Sequence, residues 1–207
     1  MSTFENNTEK LRVGILGSTK GTNLNFIMNE LQDTTSLLYD KIEIVLCISN
    51  KKESGILNKC DVYKIPNMYI PFNGEKREIY DTKLSNEFKK YNTDIILCIG
   101  WMRIISESFI DTWKNKCINV HPSLLPKFSG SMDLNVHQSV LDSGDSETGC
   151  TVHIITKEVD KGPIIIQKKC IVKDDDTAHS LKSRVQYMEG EALITTLYYY
   201  VSGVINY

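Results

Sequence analysis

The chain has 207 residues, 41% of them hydrophobic, which is typical of a globular protein with one sizeable core. Its net charge of −2 argues against nucleic acid as the main partner, because a phosphate-reading surface carries an excess of Lys and Arg. No apolar stretch approaches the ~18 residues that span a membrane, and the polar residues 1–10 lack the apolar segment of a signal peptide. We therefore expect a disordered N-terminal arm over residues 1–10 and a single cytoplasmic domain over residues 11–207.

The first half of the chain alternates apolar runs with segments of helical spacing. Strands are predicted at 11–17, 43–49, 64–70, 94–99 and 117–120, and helices at 22–32, 53–59, 75–91 and 103–115. The apolar face of the helix at 75–91 consists of Ile79, Tyr80, Leu84 and Phe88. Thr22 or Asn23 is expected to cap the first helix, and Pro66 limits its strand to a short or edge position. This alternation predicts a parallel sheet with helices on both faces.

The second half has longer strands and fewer helices. A helix is predicted at 133–143, a half-buried strand at 149–156, a strand at 163–172 and a long helix at 176–202. The six cysteines form no C-x-x-C pair, and most lie in apolar runs. We interpret them as buried thiols in a reducing compartment and expect no zinc site.

The turn at residues 17–23, GSTKGTN, joins the first strand to the first helix. Its small residues, Lys20 and the positive end of the helix dipole would suit an anion such as phosphate. The pattern is neither a dinucleotide-binding nor a Walker motif, so an ordinary tight connection fits equally well.

Residues 119–126, NVHPSLLP, follow a predicted strand at the edge where open α/β sheets bind ligands. Strand alternation places Asn119 and His121 on the same side, where an amide and an imidazole can stabilise a developing oxyanion. Asp160, in the charged segment 158–163, would raise the pKa of His121 if that segment folds over it. By itself, segment 158–163 is more typical of a solvated turn.

The other histidines have simpler interpretations. His153 lies among apolar neighbours and is expected to be structural, and His179 is expected to be exposed. His137 is closer to the candidate site, and its role is left open.

These segments resemble the phosphoribosylglycinamide formyltransferase family. The motifs are NVHPSLLPKFSG (119–130), GCTVHIITKEVDKGPIIIQKK (149–169), RVQYMEGEAL (184–193), GSTKGTNL (17–24) and WMRII (101–105). They occur in the family's order over about residues 11–203. The resemblance implies a Rossmann-like formyltransferase fold, with a mostly parallel central sheet flanked by helices and antiparallel strands in the C-terminal half.

The resemblance also implies roles for individual residues. Asn119, His121 and Asp160 would be catalytic, with Asn119 also at the folate. The other implied contacts are Gly21, Thr22, Asn23, Gln186 and Glu189 to the substrate, and Arg77, Met102, Arg103, Ile104 and Ile105 to the folate.

Some positions depart from the family pattern. Thr19 and Thr22 replace a glycine and a serine of the phosphate loop, and residues 131–136 include about three extra residues before His137. Gln186 stands where some members have Lys.

The implied reaction transfers the formyl group of 10-formyltetrahydrofolate to the amine of 5'-phosphoribosylglycinamide in de novo purine biosynthesis, without a metal. In this mechanism Asp160 keeps His121 charged near neutral pH, and His121 and Asn119 stabilise the oxyanion.

Three alternatives remain. A formyltransferase acting on initiator methionyl-tRNA would carry a further C-terminal domain, and a formyltetrahydrofolate deformylase would carry an N-terminal regulatory domain. A non-catalytic folate or nucleotide sensor would not need Asn119, His121 and Asp160 together. The sequence leaves the oligomeric state open and is compatible with a homodimer.

Overall fold

The computed structural model describes residues 9–130 and 134–206. Its strands are β1 (Leu11–Leu16), β2 (Ile42–Ser49), β3 (Asn67–Tyr69), β4 (Ile95–Cys98), β5 (Cys117–His121), β6 (Glu147–Ile154) and β7 (Ile164–Ile171). Its helices are α1 (Thr22–Gln32), α2 (Gly55–Tyr63), α3 (Arg77–Lys90), α4 (Glu107–Thr112), α5 (Leu134–Ser143) and α6 (Ala178–Val201). Most of the predicted arm and residues 131–133 of the predicted insertion lie outside the described residues.

The strands form one sheet in the order β3-β2-β1-β4-β5-β6-β7. The five strands from β3 to β5 are parallel, whereas β6 runs antiparallel to β5 and β7 antiparallel to β6. The predicted fold class, a mostly parallel sheet with antiparallel strands in the C-terminal half, is therefore confirmed. The strand predicted at 64–70, which contains Pro66, is the three-residue edge strand β3 (Asn67–Tyr69), as expected.

Two apolar layers cover the sheet because adjacent residues of a strand point to opposite faces. In β4, Ile95 and Leu97 belong to one buried cluster, and Ile96 and Cys98 belong to the other. The first layer includes residues of α1, α2 and α6, and the second includes residues of α3 and α4. Long apolar runs in the central strands follow from this two-sided burial.

Five local predictions were wrong. The helix predicted at 103–115 is only the six-residue α4, Glu107–Thr112. The N-cap of α1 is Gly21, without a side-chain cap bond, rather than Thr22 or Asn23. Helix α2 begins at Gly55 instead of 53, and Ile79 of α3 is 51% exposed instead of buried. Strand β6 is buried on both faces, because β5 and β7 flank it and its polar side chains also face protein.

The parallel strands β1, β4 and β5 end at the same edge of the sheet, so their following turns meet there. The N–H of Ser18 after β1 donates to the carbonyl of Gly100 after β4 at 3.0 Å. The hydroxyl of Ser18 accepts from the N–H of Met102 at 3.2 Å. Among the described helices, none is long and apolar enough to cross a membrane.

Candidate active site

A cavity of about 810 Å³ opens at this edge of the sheet. Its walls come from the turns after β1, β4 and β5, the segment before α2, the loop after β6 and one face of α6. Most of the predicted site residues line it. They are Thr22, Asn23, Met102, Arg103, Ile104, Ile105, Asn119, His121, Asp160, Gln186 and Glu189.

His121, the last residue of β5, lies beside Asp160 from the loop after β6. Its Nδ1 is 3.4 Å from Oδ2 of Asp160, and its Nε2 is 3.2 Å from the carbonyl oxygen of Phe128. The same Asp160 oxygen accepts from the N–H of Gly130 at 2.8 Å. Asp160 itself has a φ of 56°, a left-handed conformation that turns the loop back toward the strand end.

The charge state of His121 differs from the sequence-based expectation. Burial lowers the pKa of His121 below its ordinary value, although Asp160 and the Phe128 carbonyl act to raise it. The residue is only 4% exposed, so the loss of hydration of the charged form outweighs the nearby carboxylate. The expectation that Asp160 keeps His121 charged near neutral pH is therefore wrong for the ligand-free protein, in which the neutral imidazole is favoured.

Asp160 is the anionic member of this cluster. Burial alone would raise the pKa of Asp160, but its contacts with His153, the Gly130 N–H and His121 together lower it. Oδ1 of Asp160 lies 3.6 Å from Nε2 of His153, so the carboxylate faces two imidazoles. It remains ionised at neutral pH.

Asn119 lies opposite His153 in the β5–β6 register, and their side chains meet. Nδ2 of Asn119 is 3.2 Å from Nε2 of His153, and Nδ1 of His153 is 3.0 Å from the carbonyl oxygen of Ile154. Because a carbonyl oxygen only accepts, Nδ1 of His153 donates to it, and Nε2 lies within hydrogen-bonding distance of the Asn119 amide. The Asn119 amide keeps a second N–H, which can serve a ligand.

The loop after β5 is fixed by hydrogen bonds to β6 and β7. The hydroxyl of Thr151 donates to the Ser123 carbonyl at 2.7 Å and accepts from the N–H of Leu125 at 3.0 Å. The amide of Gln167 donates to Thr151 Oγ1 at 2.8 Å and to the Leu125 carbonyl at 3.0 Å. This network holds the segment that follows His121.

A second polar pair joins α1 to α6 across the cavity. Nδ2 of Asn23 donates to Oε2 of Glu189 at 2.7 Å, and both side chains are buried. Burial raises the pKa of Glu189 to about 7, against the opposing effects of Asn23 and Lys182. Glu189 therefore keeps its proton to a higher pH than an exposed carboxyl group does.

The comparisons with known proteins agree with this geometry. A family model described as formyl transferase matches residues 11–197. The chain belongs to the formyl transferase family.

Individual relatives narrow the comparison. This formyl transferase is 31% identical to the phosphoribosylglycinamide formyltransferase of Escherichia coli (strain K12), over 86% of this chain and 82% of the relative. The solved structure of the phosphoribosylglycinamide formyltransferase of Coxiella burnetii has a TM-score of 0.87 at 32% identity, covering 96% of this chain and 90% of that one. The chain is also 37% identical to the trifunctional purine biosynthetic protein adenosine-3 of Bos taurus over 98% of its own length, but spans only 20% of that relative.

Two of the predicted contact residues do not line the cavity of this formyl transferase. Gly21 supports its wall from behind: with a φ of 63°, it packs so closely on α2 that an added Cβ would lie 2.5 Å from the Ile56 side chain. Arg77 is the first residue of α3 and is exposed outside the cavity. The arginine that lines it is Arg103, whose guanidinium stacks 3.5 Å from the centre of the Phe72 ring.

His153 is the functional neighbour that the sequence interpretation missed. It was expected to be a structural residue, yet its ring contacts both Asn119 and Asp160 and lines the cavity. Its neighbours in sequence are apolar, and they led to the expectation of a structural role. The alternation of β6 carries the signal, because Thr151 and His153 share the face opposite Cys150 and Val152.

His137 and His179 also line the cavity. His137 is buried, and His179 is exposed as expected. Within residues 9–130 and 134–206, no group of three His, Cys, Asp or Glu side chains is arranged to hold a metal ion.

Proposed function

We propose that the chain transfers the formyl group of 10-formyltetrahydrofolate to the amine of 5'-phosphoribosylglycinamide, giving formylglycinamide ribonucleotide and tetrahydrofolate. The observation that carries this proposal is the cluster of Asn119, His121 and Asp160 within one cavity of about 810 Å³. Membership of the formyl transferase family and the named relatives support the same reaction, a step of purine biosynthesis. We assign the activity to residues 11–207 as one catalytic domain.

Asn119 has the role of an oxyanion donor in this proposal. As the substrate amine attacks the formyl carbon, negative charge develops on the formyl oxygen. The amide N–H of Asn119 that is not used by His153 donates to that oxygen. A donor held in place before the reaction stabilises the developing charge without reorganisation. His153 is a positioning residue, because its Nε2 fixes the rotation of the amide.

His121 and Asp160 handle the proton in this proposal. A neutral imidazole can take up the proton that the attacking amine loses as its bond to the formyl carbon forms, once Nε2 of His121 exchanges its contact with the Phe128 carbonyl for the substrate. The developing negative charge raises the pKa of His121, and Asp160, 3.4 Å from Nδ1, stabilises the imidazolium. The proton then passes to the departing folate nitrogen as its bond to the formyl carbon breaks.

The two ends of the cavity suit different parts of the substrates. Met102, Ile104 and Ile105 provide apolar wall for a flat pterin ring, and the loop 156–160 covers its other side. Thr22 and Asn23 at the start of α1, with Gln186 and Glu189 of α6, provide polar groups for the ribose and phosphate. No step of this reaction requires a metal.

The partners that we propose are small molecules rather than nucleic acid or a membrane. The net charge of −2 argues against nucleic acid as the main partner. We propose the cytoplasm as the location, and the six free cysteines, five of them buried, fit a reducing compartment.

A spectrophotometric assay tests the proposal. The protein is mixed with 10-formyl-dideazafolate, whose deformylation changes its absorbance, and glycinamide ribonucleotide is added. We expect a change that requires the ribonucleotide and is lost in Asp160→Asn, which retains the shape but not the charge of the side chain.

Other outcomes point to the alternatives. A change without any amine would indicate hydrolysis, as in a deformylase. Folate binding without transfer to the ribonucleotide would contradict the proposal and favour another acceptor or a binding role.

A further inference from the structure

Lysines from three separate elements line the substrate end of the cavity. Lys20 lies in the turn after β1, Lys51 lies between β2 and α2, and Lys182 lies in the second turn of α6. The acidic residues at this end are Glu53 and the buried Glu189.

The three elements meet at the start of α1. The N–H of Ile56 in α2 donates to the Thr19 carbonyl at 3.1 Å, and an added Cβ at Gly55 would lie 3.0 Å from Cα of Lys20. On the other side, the Asn23–Glu189 hydrogen bond of 2.7 Å ties the first turn of α1 to α6. The elements that carry Lys20, Lys51 and Lys182 therefore meet at the N-terminus of α1, whose dipole favours an anion, and all three lysines line the cavity there.

One face of α6 presents Lys182, Gln186 and Glu189 to this space. They follow the four- and three-residue spacing that aligns side chains on a helix. Lys182 lies about 6 Å along the helix axis from Gln186, a distance that its flexible side chain can span. The charge of Lys182 also acts on Glu189, whose pKa it lowers against the larger effect of burial.

A hydrogen-bond donor is buried at the same place. Ser54 is the N-cap residue of α2, lines the cavity and is 4% exposed. Within the described part of the chain, its hydroxyl has no hydrogen-bond partner. A buried hydroxyl without a partner is costly and is usually satisfied by a ligand or water.

We propose that Lys182, together with Lys20, Lys51 and the Ser54 hydroxyl, binds the phosphate of the acceptor substrate, and that Lys182 sets the preference for a phosphorylated acceptor. A phosphate monoester carries about −1.5 to −2 charges near pH 7, which the neutral Gln186 cannot balance. The ammonium group of Lys182 reaches the same space from one turn earlier. This proposal rests on the proposed function, which supplies the phosphorylated acceptor.

Lys182→Ala tests the proposal in steady-state kinetics. We expect KM for glycinamide ribonucleotide to rise about 10- to 100-fold, the loss of one charge-assisted hydrogen bond, with kcat near that of the wild type. With the unphosphorylated glycinamide riboside, kcat/KM should be the same in wild type and variant. Lys173→Ala, which removes an exposed lysine ahead of the same helix, is the matched control and should leave both values unchanged.

A second variant separates charge from structure. Gln186→Lys introduced into Lys182→Ala restores a cation one turn along the same face and should recover most of the lost affinity. Titration calorimetry with ribose 5-phosphate measures the site without the reaction, and binding should weaken in Lys182→Ala and recover in the double variant.

The outcomes distinguish this inference from the proposed function. An unchanged KM in Lys182→Ala, or an equal rise for the riboside, would overturn the role of Lys182. A wild-type protein that transfers nothing to the ribonucleotide would contradict the proposed function. In that case, the ribose 5-phosphate titration still supports or overturns the lysine site.

Discussion

The two polar regions of the cavity, the catalytic end and the substrate end, differ in how many of their buried polar groups have hydrogen-bond partners in the protein. At the catalytic end, both ring nitrogens of His121 and of His153 lie near protein partners, and Asp160 joins the two rings. At the substrate end, Oδ1 of Asn23 and the hydroxyl of Ser54 are buried without a hydrogen-bond partner in the described part of the chain. The first region is organised before a ligand arrives, whereas the second is completed by one.

This difference follows from what each region must do. Donors that stabilise a transition state act best when protein contacts already fix them. Groups that bind a substrate gain affinity when the ligand supplies hydrogen bonds that the protein leaves unmade. Substitutions in each region can test whether the two behave in these separate ways.

The largest effect is expected at the catalytic end. Asn119→Ala removes the oxyanion donor and should lower kcat by about 10²- to 10³-fold, with little change in the affinity for the folate analogue. Single-turnover kinetics and a binding titration measure the two quantities separately. Asn67→Ala, on the edge strand β3, is the control, and an unchanged turnover in Asn119→Ala would remove Asn119 from the mechanism.

At the substrate end, Glu189→Gln should change the pH dependence of stability. Because burial raises the pKa of Glu189 to about 7, the folded state holds its proton more tightly than the unfolded state. The contribution of Glu189 to the free energy of unfolding is fully present below about pH 4.5. It falls by roughly 3 kcal/mol in total as the pH rises to about 7. Relative to wild type, the variant should therefore gain about this free energy of unfolding between pH 4.5 and pH 8.

Urea denaturation at several pH values measures this gain. Glu191→Gln is the control, because Glu191 lies on the same helix as Glu189 but is less buried and pairs with Lys168 of β7. It should change the free energy of unfolding, relative to wild type, by less than about 1 kcal/mol between pH 4.5 and pH 8. Parallel pH curves for Glu189→Gln and the wild type would mean that the Glu189 carboxylate does not titrate as its burial implies.

His153→Ala tests the organisation of the catalytic end more finely. Losing the hydrogen bond that orients Asn119 should lower kcat about tenfold, the effect of roughly 1.4 kcal/mol. In the Asn119→Ala background, the same substitution should have almost no further effect, because the amide that it orients is absent. Independent, additive losses in this double-mutant cycle would contradict the positioning role.

The smallest effect compares Ser54, at the substrate end of the cavity, with Ser123, in the loop that follows His121. Ser54→Ala removes a hydroxyl that has no hydrogen-bond partner among the described residues and should change the free energy of unfolding by less than about 0.5 kcal/mol. Ser123→Ala removes a buried hydroxyl that donates to the Lys127 carbonyl at 2.6 Å and should cost about 1 kcal/mol. Equal losses of unfolding free energy in thermal or chemical denaturation would show that the two hydroxyls are equally well hydrogen-bonded in the protein.

The sequence predicted the fold well where structure is local. The strands β1, β2 and β4 were found within two residues, because a strand buried on both faces is a continuous apolar run. The burial of β6 on both faces was missed, since it depends on which strands pair with it and not on its own alternation. Ile79 was misassigned because a helical stripe read from sequence does not show where the packed face ends.

For the site, the sequence identified the residues but not their electrostatics. The approach of Asp160 to His121 was anticipated, whereas the lowered pKa of His121 depends on burial that no local pattern shows. The contact between Asn119 and His153 arises from the register of two strands 34 residues apart in sequence. Apart from the motif resemblance, nothing in the local sequence indicated that α6 would close the cavity.

The left-handed backbone of Asp160 limits how this position can vary. Asp, Asn and Gly adopt a φ near 56° with the least strain, whereas Glu does so rarely. A library at residue 160 selected only for folding would therefore return mainly these three residues. Selection for turnover would return Asp alone, since Glu keeps the carboxylate but not the backbone, and Asn keeps the backbone but not the charge.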